Sequence, residues 1–600
     1  MPKKDHRGLL YQTLSIPAQS AFLPLYADIE GPCRSISFDE QTIHGGAGTR
    51  VSCNTYFNSI YESYIAELTS ADSIRFVLRF KGSVKISVFR ESLGGCECVY
   101  ELAHRHGALK ELAIELPLAA DSRLWLEYEF LSDALIYPGE VYLCSPQTPA
   151  EVNLAICICT YKKEEYITRT LRALFESTTL KKSRAVFTVY IADNGGTLNL
   201  DKDIARKNVR LIANRNTGGS GGFTRALYEA VQSRNHTHYL FMDDDVVLDP
   251  EVINKTIALF ALARGEVMIA GTMFDGMQKS VIHESGTAYN PHTLRYIPHK
   301  CGLSAEYKPN LKRLLMRERN DFAGWWYCAF SEKTRASLGY PLQMFIRADD
   351  TEWGLRFTAG GGSICAVPGI ALHHEPFYFK DPVWIHYYRI KNLLIVNAVH
   401  YSTSVFAAIA LLLVYYFTCM LCYDYGYLLM VLSGIEDFLK GPRFVEECDY
   451  PLFHKELIAK SAAFTESVQL SAAQIGKISP KKRGLLSILL APLMLLTMNG
   501  QLIGLPFGRR CITQHKANKG GGITAAASTF YAKEIVYYNP YNHTATHYRR
   551  RPLLFFKLTL RTVKVVLQLL FNFRRVSERF RTRAPYLSSE DFWKEFFDRK

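Results

Sequence analysis

Apolar and polar positions alternate in short runs through the first quarter of the chain. Arg75–Phe80, Val84–Phe89 and Leu124–Phe130 are such runs, separated by Gly, Asp and Ser. Period-two alternation between turn-forming residues predicts a β-sandwich over residues 1–150. Nothing in it has catalytic spacing. A sandwich of this kind either binds glycan or braces its neighbour, and bracing is the favoured reading.

Near residue 150 the pattern changes to nearly continuous apolar runs. Asn153–Cys159, Val186–Ala192, Val209–Ile212, Tyr239–Met242 and Glu266–Gly271 read as buried strands. Helical patterns run between them, through Leu171, Leu174 and Phe175, over Phe223–Gln232, and from Pro250 to Ala263. Strands alternating with helices predict an α/β, doubly wound, Rossmann-like domain over residues 151–400. From 401 to 600 the chain reads as mainly helical. Val405–Cys422 carries no charge over eighteen residues, and Leu485–Phe507 is apolar but interrupted by Pro492, Asn499, Gly500 and Gln501. Each is either a membrane span or a helix that is buried or lies at an interface, the second being favoured. Leu553–Phe573, with Lys557, Arg561 and Lys564 at near-helical spacing, reads as a basic amphipathic helix, or else as a solvated helix on an oligomer.

Composition narrows the class. Six hundred residues suggest about three to four domains, and 48% hydrophobic with 21% charged residues is ordinary for a folded protein. The net charge of +14 is uneven: Arg549 to Arg583 holds eleven Lys or Arg against one acid, Glu578, which points to an anionic surface, lipid or nucleic acid. The start, Met-Pro-Lys-Lys-Asp-His-Arg, has no secretory pattern, and fourteen scattered cysteines suit a reduced, cytoplasmic setting. Cys96 and Cys98, and Cys157 and Cys159, lack a second pair at zinc-ribbon spacing and are expected to pack in cores.

The candidate chemistry gathers at the ends of the central runs. Tyr239–Met242 stops at Asp243, Asp244 and Asp245, a cluster that calls for a cation gripping a diphosphate, or forms a solvated turn capping the next helix. Gly218-Gly-Ser-Gly-Gly222 opens a helix without Walker or dinucleotide spacing, so it is either a close backbone approach to a ligand or a flexible turn. Pro341–Asp350 reads as another apolar strand ending in paired carboxylates, Asp349 and Asp350. Trp325-Trp326 and His373-His374 complete a set that sugar transfer from a nucleotide donor needs: a cation, a base and flat apolar faces.

The ordered motifs Asn216-x-Gly-Gly-Ser-Gly-Gly, Phe241-Met-Asp-Asp-Asp, Gly324-Trp-Trp and Phe345-Ile-x-x-Asp-Asp-x-x-x-Gly-Leu-Arg356, followed by a histidine after a strand, resemble the polymerising galactofuranosyltransferases of bacterial cell-wall synthesis. Thr55–Asn58, Ile435–Leu439 with Gly441-Pro442, and Leu587–Ser589 before Trp593 extend the likeness over essentially the whole chain. The resemblance implies a GT-A fold of glycosyltransferase family 2, with an N-terminal β-sandwich and a C-terminal mainly helical, membrane-associating domain. It implies an inverting enzyme with Mn2+ or Mg2+ on Asp243, Asp245 and His374. Donor contacts would come from Thr160, Lys163, Asp193, Asn216, Gly218, Gly219 and Asp244. Asp350 would be the catalytic base, with Trp325, Trp326 and Asp349 in the acceptor pocket. The implied partners are a nucleotide-sugar donor, UDP-galactofuranose, a lipid-linked glycan acceptor, an anionic membrane surface and further copies of the chain, with no nucleic acid. The implied location is peripheral, on the cytoplasmic side of the bacterial plasma membrane. Departures bear on the acceptor above all: Ala348 and Phe377 stand where the family has tryptophan, in the acceptor pocket, while Lys163 stands where it has the arginine of the uracil contact.

Two other classes share single features. A prenyl-diphosphate synthase also clusters aspartates, but wants Asp-Asp-x-x-Asp on a helix, and Val247 holds the fifth place here. A non-catalytic sugar-binding scaffold would have no need of Asp350 and His374 beside Asp245.

Overall fold

The computed structural model describes residues 8–205, 207–375, 381–401, 404–464, 466–469, 471, 489, 491–503, 510–513, 526–539 and 543–599. Phe377, the cations at 481–483, Arg509 and both ends of the 485–507 run lie outside them.

The N-terminal region is two antiparallel sheets of seven and five strands. Along Ser73–Lys81, Ile74, Phe76, Leu78 and Phe80 are fully buried while the residues between them face outward, the alternation that packs one sheet face on another. Buried polar contacts lock this sandwich to the central domain. Asn254 donates to the carbonyls of Leu10 and Tyr11 (3.0 and 2.9 Å), the Tyr26 hydroxyl donates to Asp249 (2.8 Å), and the Lys255 ammonium donates to Phe57 and Gly369 (3.3 and 3.2 Å). Tyr56 meets Phe274 edge-on at 4.8 Å. Polar groups buried with their partners are costly to separate, so the sandwich is a fixed brace. Cys157 and Cys159 are core residues, but Cys96 and Cys98 are exposed. Their strand, Cys96–His104, is the outer member of the five-stranded sheet, and among the described residues no layer covers it there.

The central sheet has nine strands, in the order Val209–Ala213, Val186–Asp193, Asn153–Thr160, His238–Met242, Tyr327–Ser331, Val267–Asp275, Ser363–His374 and Val246–Leu248, with Ile282–Glu284 added beside Val267–Asp275. The first four are parallel, and Tyr327–Ser331 runs against His238–Met242. Asn153–Thr160 and Val267–Asp275 are almost wholly buried, which is why they read as unbroken apolar runs.

One expected strand is absent. Pro341–Ala348 is an irregular loop, and Asp349 and Asp350 begin the helix Asp349–Ala359 rather than end a strand. The loop holds Phe345, Arg347 and Ala348 at φ of 68, 71 and 64°, left-handed values that no strand accommodates. Tertiary contacts keep it there. The Asn392 side-chain amide, fully buried, donates to the carbonyls of Met344, Ile346 and Arg347 (3.0, 2.9 and 2.8 Å), and the Ser220 amide donates to Phe345 (3.1 Å).

In the C-terminal region, helix Ile385–His400 packs against Tyr425–Leu439 and Pro552–Leu587. A four-stranded sheet stands beside them, in the order Glu466–Gln469, Thr544–Arg549, Glu534–Asn539 and Arg510–Thr513, which the helical reading of this region did not foresee. Among the described residues no helix is long and apolar enough to cross a membrane. Val405–Leu421 buries Ala408, Leu412 and Cys419 and leaves Phe406 and Phe417 exposed. Asn499 and Gln501 turn their side-chain amides to the carbonyls of Leu421 and Met420 at its end (2.8 and 2.6 Å), so the interruptions in the second apolar run serve a protein interior.

Candidate active site

His238–Met242 delivers the three aspartates to the carboxyl edge of the sheet, where open α/β folds place ligands. His374 arrives beside them because Val246–Leu248 pairs antiparallel with the end of Ser363–His374, setting Val246 opposite His374. One ligand atom from each of Asp243, Asp245 and His374 lies within 4.8 Å of the others. His374 Nε2 is 2.9 Å from Asp245 Oδ1 and 3.3 Å from Asp243 Oδ2. Its Nδ1 is 2.6 Å from the carbonyl of Glu375, a donation that leaves Nε2 facing the carboxylates. Two carboxylate oxygens and an imidazole nitrogen, already oriented, fit a divalent cation. Burial opposes a charged His374, but the hydrogen bonds and negative charges of Asp243 and Asp245 raise it to about 10.

Asp244 plays a different part. Burial, then the charges of Asp243 and Asp245, push its carboxyl up to about 7, while it accepts the Tyr161 amide at 3.2 Å. Lys163 Nζ lies 3.6 Å from Asp245 and 3.7 Å from Glu375, so this lysine faces the acidic cluster.

The donor-side residues sit around the neighbouring strand ends. Thr160 and Asp193 are register partners at the ends of their parallel strands. Asp193 accepts the amides of Gly195, Gly196 and Leu198 (2.9, 3.0 and 2.8 Å), so its carboxylate shapes the loop after the strand. Asn216 Oδ1 accepts the Gly218 amide at 3.2 Å. The glycine loop is the first turn of helix Gly218–Gln232, not a linker before it. Gly218 has φ +73° and any Cβ would meet the Phe345 carbonyl at 2.0 Å, so only glycine fits between the two loops.

A single cavity of about 930 Å³ is lined by Gly219, the three aspartates, His374, Trp325, Trp326, Asp349 and Asp350. Thr160, Lys163, Asp193, Asn216 and Gly218 are not among its described lining residues. Trp325 and Trp326 are largely buried, the first between Phe223 and Phe241 (ring centroids 5.4 and 4.7 Å), the second donating its indole N–H to the Gly271 carbonyl at 2.8 Å. Asp349 is pushed up to about 8 by burial and by the charge of Asp350. Burial also raises Asp350, but hydrogen bonds from Thr351 and the Arg347 charge limit the rise to about 6. Burial thus raises both adjacent carboxyls, Asp349 further than Asp350. Glu284, Tyr296, Arg347 and Arg389 also line the cavity and were not singled out from sequence. Burial, and the charge of Asp350, push Glu284 up to about 8. For Arg389 a signal existed: polar residues recur in Ile385–His400, a helix otherwise apolar enough to be buried.

Residues 149–381 match the family model described as glycosyltransferase like family 2. This central domain is a family 2 glycosyltransferase domain. Two curated relatives carry the name galactofuranosyltransferase GlfT2. The protein of Mycolicibacterium smegmatis is 28% identical over 66% of this chain and 65% of its own length, and that of Mycobacterium tuberculosis is 27% identical over 71% of each. The match thus spans slightly less than two thirds of the first. A solved Mycobacterium tuberculosis glucosyl-3-phosphoglycerate synthase, in complex with Mn2+ and uridine diphosphate, aligns over 40% of this chain and 78% of its own at 13% identity, with a TM-score of 0.25, too low to bear on function. The family 2 domain is the part that carries the acidic cluster, His374 and the Asp349–Asp350 pair.

Proposed function

We propose that the chain is an inverting, metal-dependent transferase that moves galactofuranose from UDP-galactofuranose to a lipid-linked glycan in cell-envelope polysaccharide synthesis. One observation carries the reading: the cation-fitting trio and the Asp349–Asp350 pair line one cavity. The names of the two curated relatives support the sugar.

In this reading Asp243, Asp245 and His374 hold Mn2+ or Mg2+, which when bound neutralises charge on the leaving diphosphate. Asp350 accepts the proton of the acceptor hydroxyl, and a value near 6 keeps it ionised at neutral pH while leaving it basic enough for the task. Asp349 stays protonated beside it and donates to an acceptor oxygen. Trp325 and Trp326 close the cavity against the sugar rings. Thr160, Lys163, Asp193, Asn216, Gly218, Gly219 and Asp244 form the donor side, with Asp193 and Asn216 acting through the loops they fix.

The protein works peripherally on the cytoplasmic face of the plasma membrane, with further copies of itself. Support comes from helix Pro552–Leu587, which exposes Leu553, Phe556, Leu560, Val563 and Phe571 among its cations. Several Lys or Arg near an anionic leaflet contribute about 1 kcal/mol each. Alkaline carbonate should release the protein from membranes, and retention in the washed pellet would refute peripheral attachment.

The deciding experiment offers a panel of UDP sugars with synthetic acceptors and reads the product linkage by NMR. Transfer of galactofuranose alone establishes the donor. Transfer of rhamnose or galactopyranose instead replaces it, and saturable glycan binding without transfer would favour a scaffold.

A further inference from the structure

The cavity does not end at the catalytic groups. Past Trp384, His386 and Arg389 its wall is the four-stranded C-terminal sheet, contributed by Ser467, Tyr537, Asn539, Thr544, Thr546 and Tyr548. Thr544, Thr546 and Tyr548 stand at every second position of Thr544–Arg549, and Tyr537 and Asn539 at every second position of Glu534–Asn539, so each strand turns one face to the cavity. The rows match across strands: Tyr537 lies opposite Thr546, which lies opposite Ser467, and Asn539 lies opposite Thr544. The Ser467 and Thr546 hydroxyls are 2.6 Å apart.

The chemistry of this face differs from that of the reaction centre. It presents hydroxyls, phenols and an amide, with no acid or base among the six. His547, on the other parity of its strand, pairs instead with Glu534 at 3.1 Å. Hydroxyls both donate and accept, and phenol rings add flat apolar area, a combination suited to a neutral polyhydroxylated chain and not to a phosphate or a cation. Gly219, Asp244 and the metal-fitting trio line the opposite end of the cavity, where the donor diphosphate belongs, which leaves the sheet end to the acceptor.

We infer that this sheet face is a distal acceptor subsite, holding the sugars of a neutral glycan behind the terminal residue being extended. The inference rests on the proposed transferase reading and adds where the rest of the acceptor lies. A transferase built this way binds longer acceptors better than short ones, until the glycan reaches past the sheet.

The test compares di-, tetra- and hexasaccharide galactofuranose glycosides as acceptors for the wild type and for the double variant Asn539→Ala, Thr546→Val. KM should fall with length in the wild type. The variant should raise KM for the hexasaccharide about tenfold more than for the disaccharide, as expected for about two lost hydrogen bonds. An equal effect at every length, or no length dependence in the wild type, overturns the subsite. Hydrolysis of UDP-galactofuranose by both proteins, with their Tm, shows that the variant is folded. If the wild type transfers nothing, the parent reading fails on its own. Calorimetric titration of the hexasaccharide then decides the subsite: binding weakened about tenfold in the variant supports it, and no binding or unchanged binding refutes it.

Discussion

The chain carries two clusters of adjacent aspartates, and their surroundings give them opposite characters. Asp243, Asp244 and Asp245 follow a buried strand; His374 meets Asp243 and Asp245 and Lys163 meets Asp245, so positive groups answer the charge of these two, while burial raises Asp244 between them. Asp349 and Asp350 open a helix in the interior, and burial shifts both upward, Asp349 to about 8 and Asp350, held back by Thr351 and Arg347, to about 6. In the proposed reading the same side chain is thus a ligand in one place and a base in the other. Burial acts on both clusters, and the difference lies in the direct pairing of His374 with Asp243 and Asp245, where Asp350 has the charge of Arg347 and the Thr351 hydrogen bonds.

The comparison breaks most sharply at Asp350. Asp350→Asn keeps the size but cannot take a proton, so kcat should fall by about two to four orders of magnitude with the donor Kd little changed. Loss of donor binding in proportion to turnover would show instead that the second cluster also serves the diphosphate. The first cluster should respond to metal. Chelator should abolish turnover and Mn2+ restore it, and Asp245→Ala with His374→Ala should weaken Mn2+ binding by more than about a hundredfold, the upper end for losing a merely supporting partner. Full activity of that double variant in chelator would end the metal assignment.

A smaller effect should come from the loop that aims the second cluster. Asn392→Leu removes the donor to three carbonyls and should lower kcat about ten- to a hundredfold through displacement of Asp350, with the donor Kd unchanged. Ala348→Gly, which relieves a left-handed residue at a cost otherwise of about 1–2 kcal/mol, should restore part of the loss if loop position is the cause. A merely destabilised protein would lose Tm without that selective recovery. The smallest effect is on pH. Asp350 must be deprotonated to act, so kcat/KM should drop about tenfold per unit below an apparent value near 6. Asp349, protonated up to about 8, should tolerate Asp349→Asn at pH 7 within about tenfold. A collapse as deep as that of Asp350→Asn would exchange the roles.

The two clusters also differ in how far they were legible. Tyr239–Met242 is an apolar run that is buried whatever surrounds it, so its strand and the aspartates at its end could be read directly. Pro341–Ala348 has the same apolar character, yet it is a loop, because Asn392, 44 positions beyond Ala348 in the chain, and the Gly218 turn hold its backbone in left-handed conformations. Cys96 and Cys98 misled for a related reason: a strand pattern says which residues share a face, not whether another layer covers it.

Periodicity along the chain determined the sandwich, the doubly wound sheet and the amphipathic C-terminal helix, since local burial patterns need only the repeat of a strand or helix. Residue chemistry at the ends of those runs marked the carboxylates, the histidine and the tryptophans. The tertiary structure alone decided that His374 faces Asp245, that Asp349 and Asp350 are buried together, and that a sheet from the last third of the chain walls the same cavity. Those facts depend on contacts between residues more than a hundred positions apart, or on burial by distant layers, and neither leaves a local repeat in the sequence.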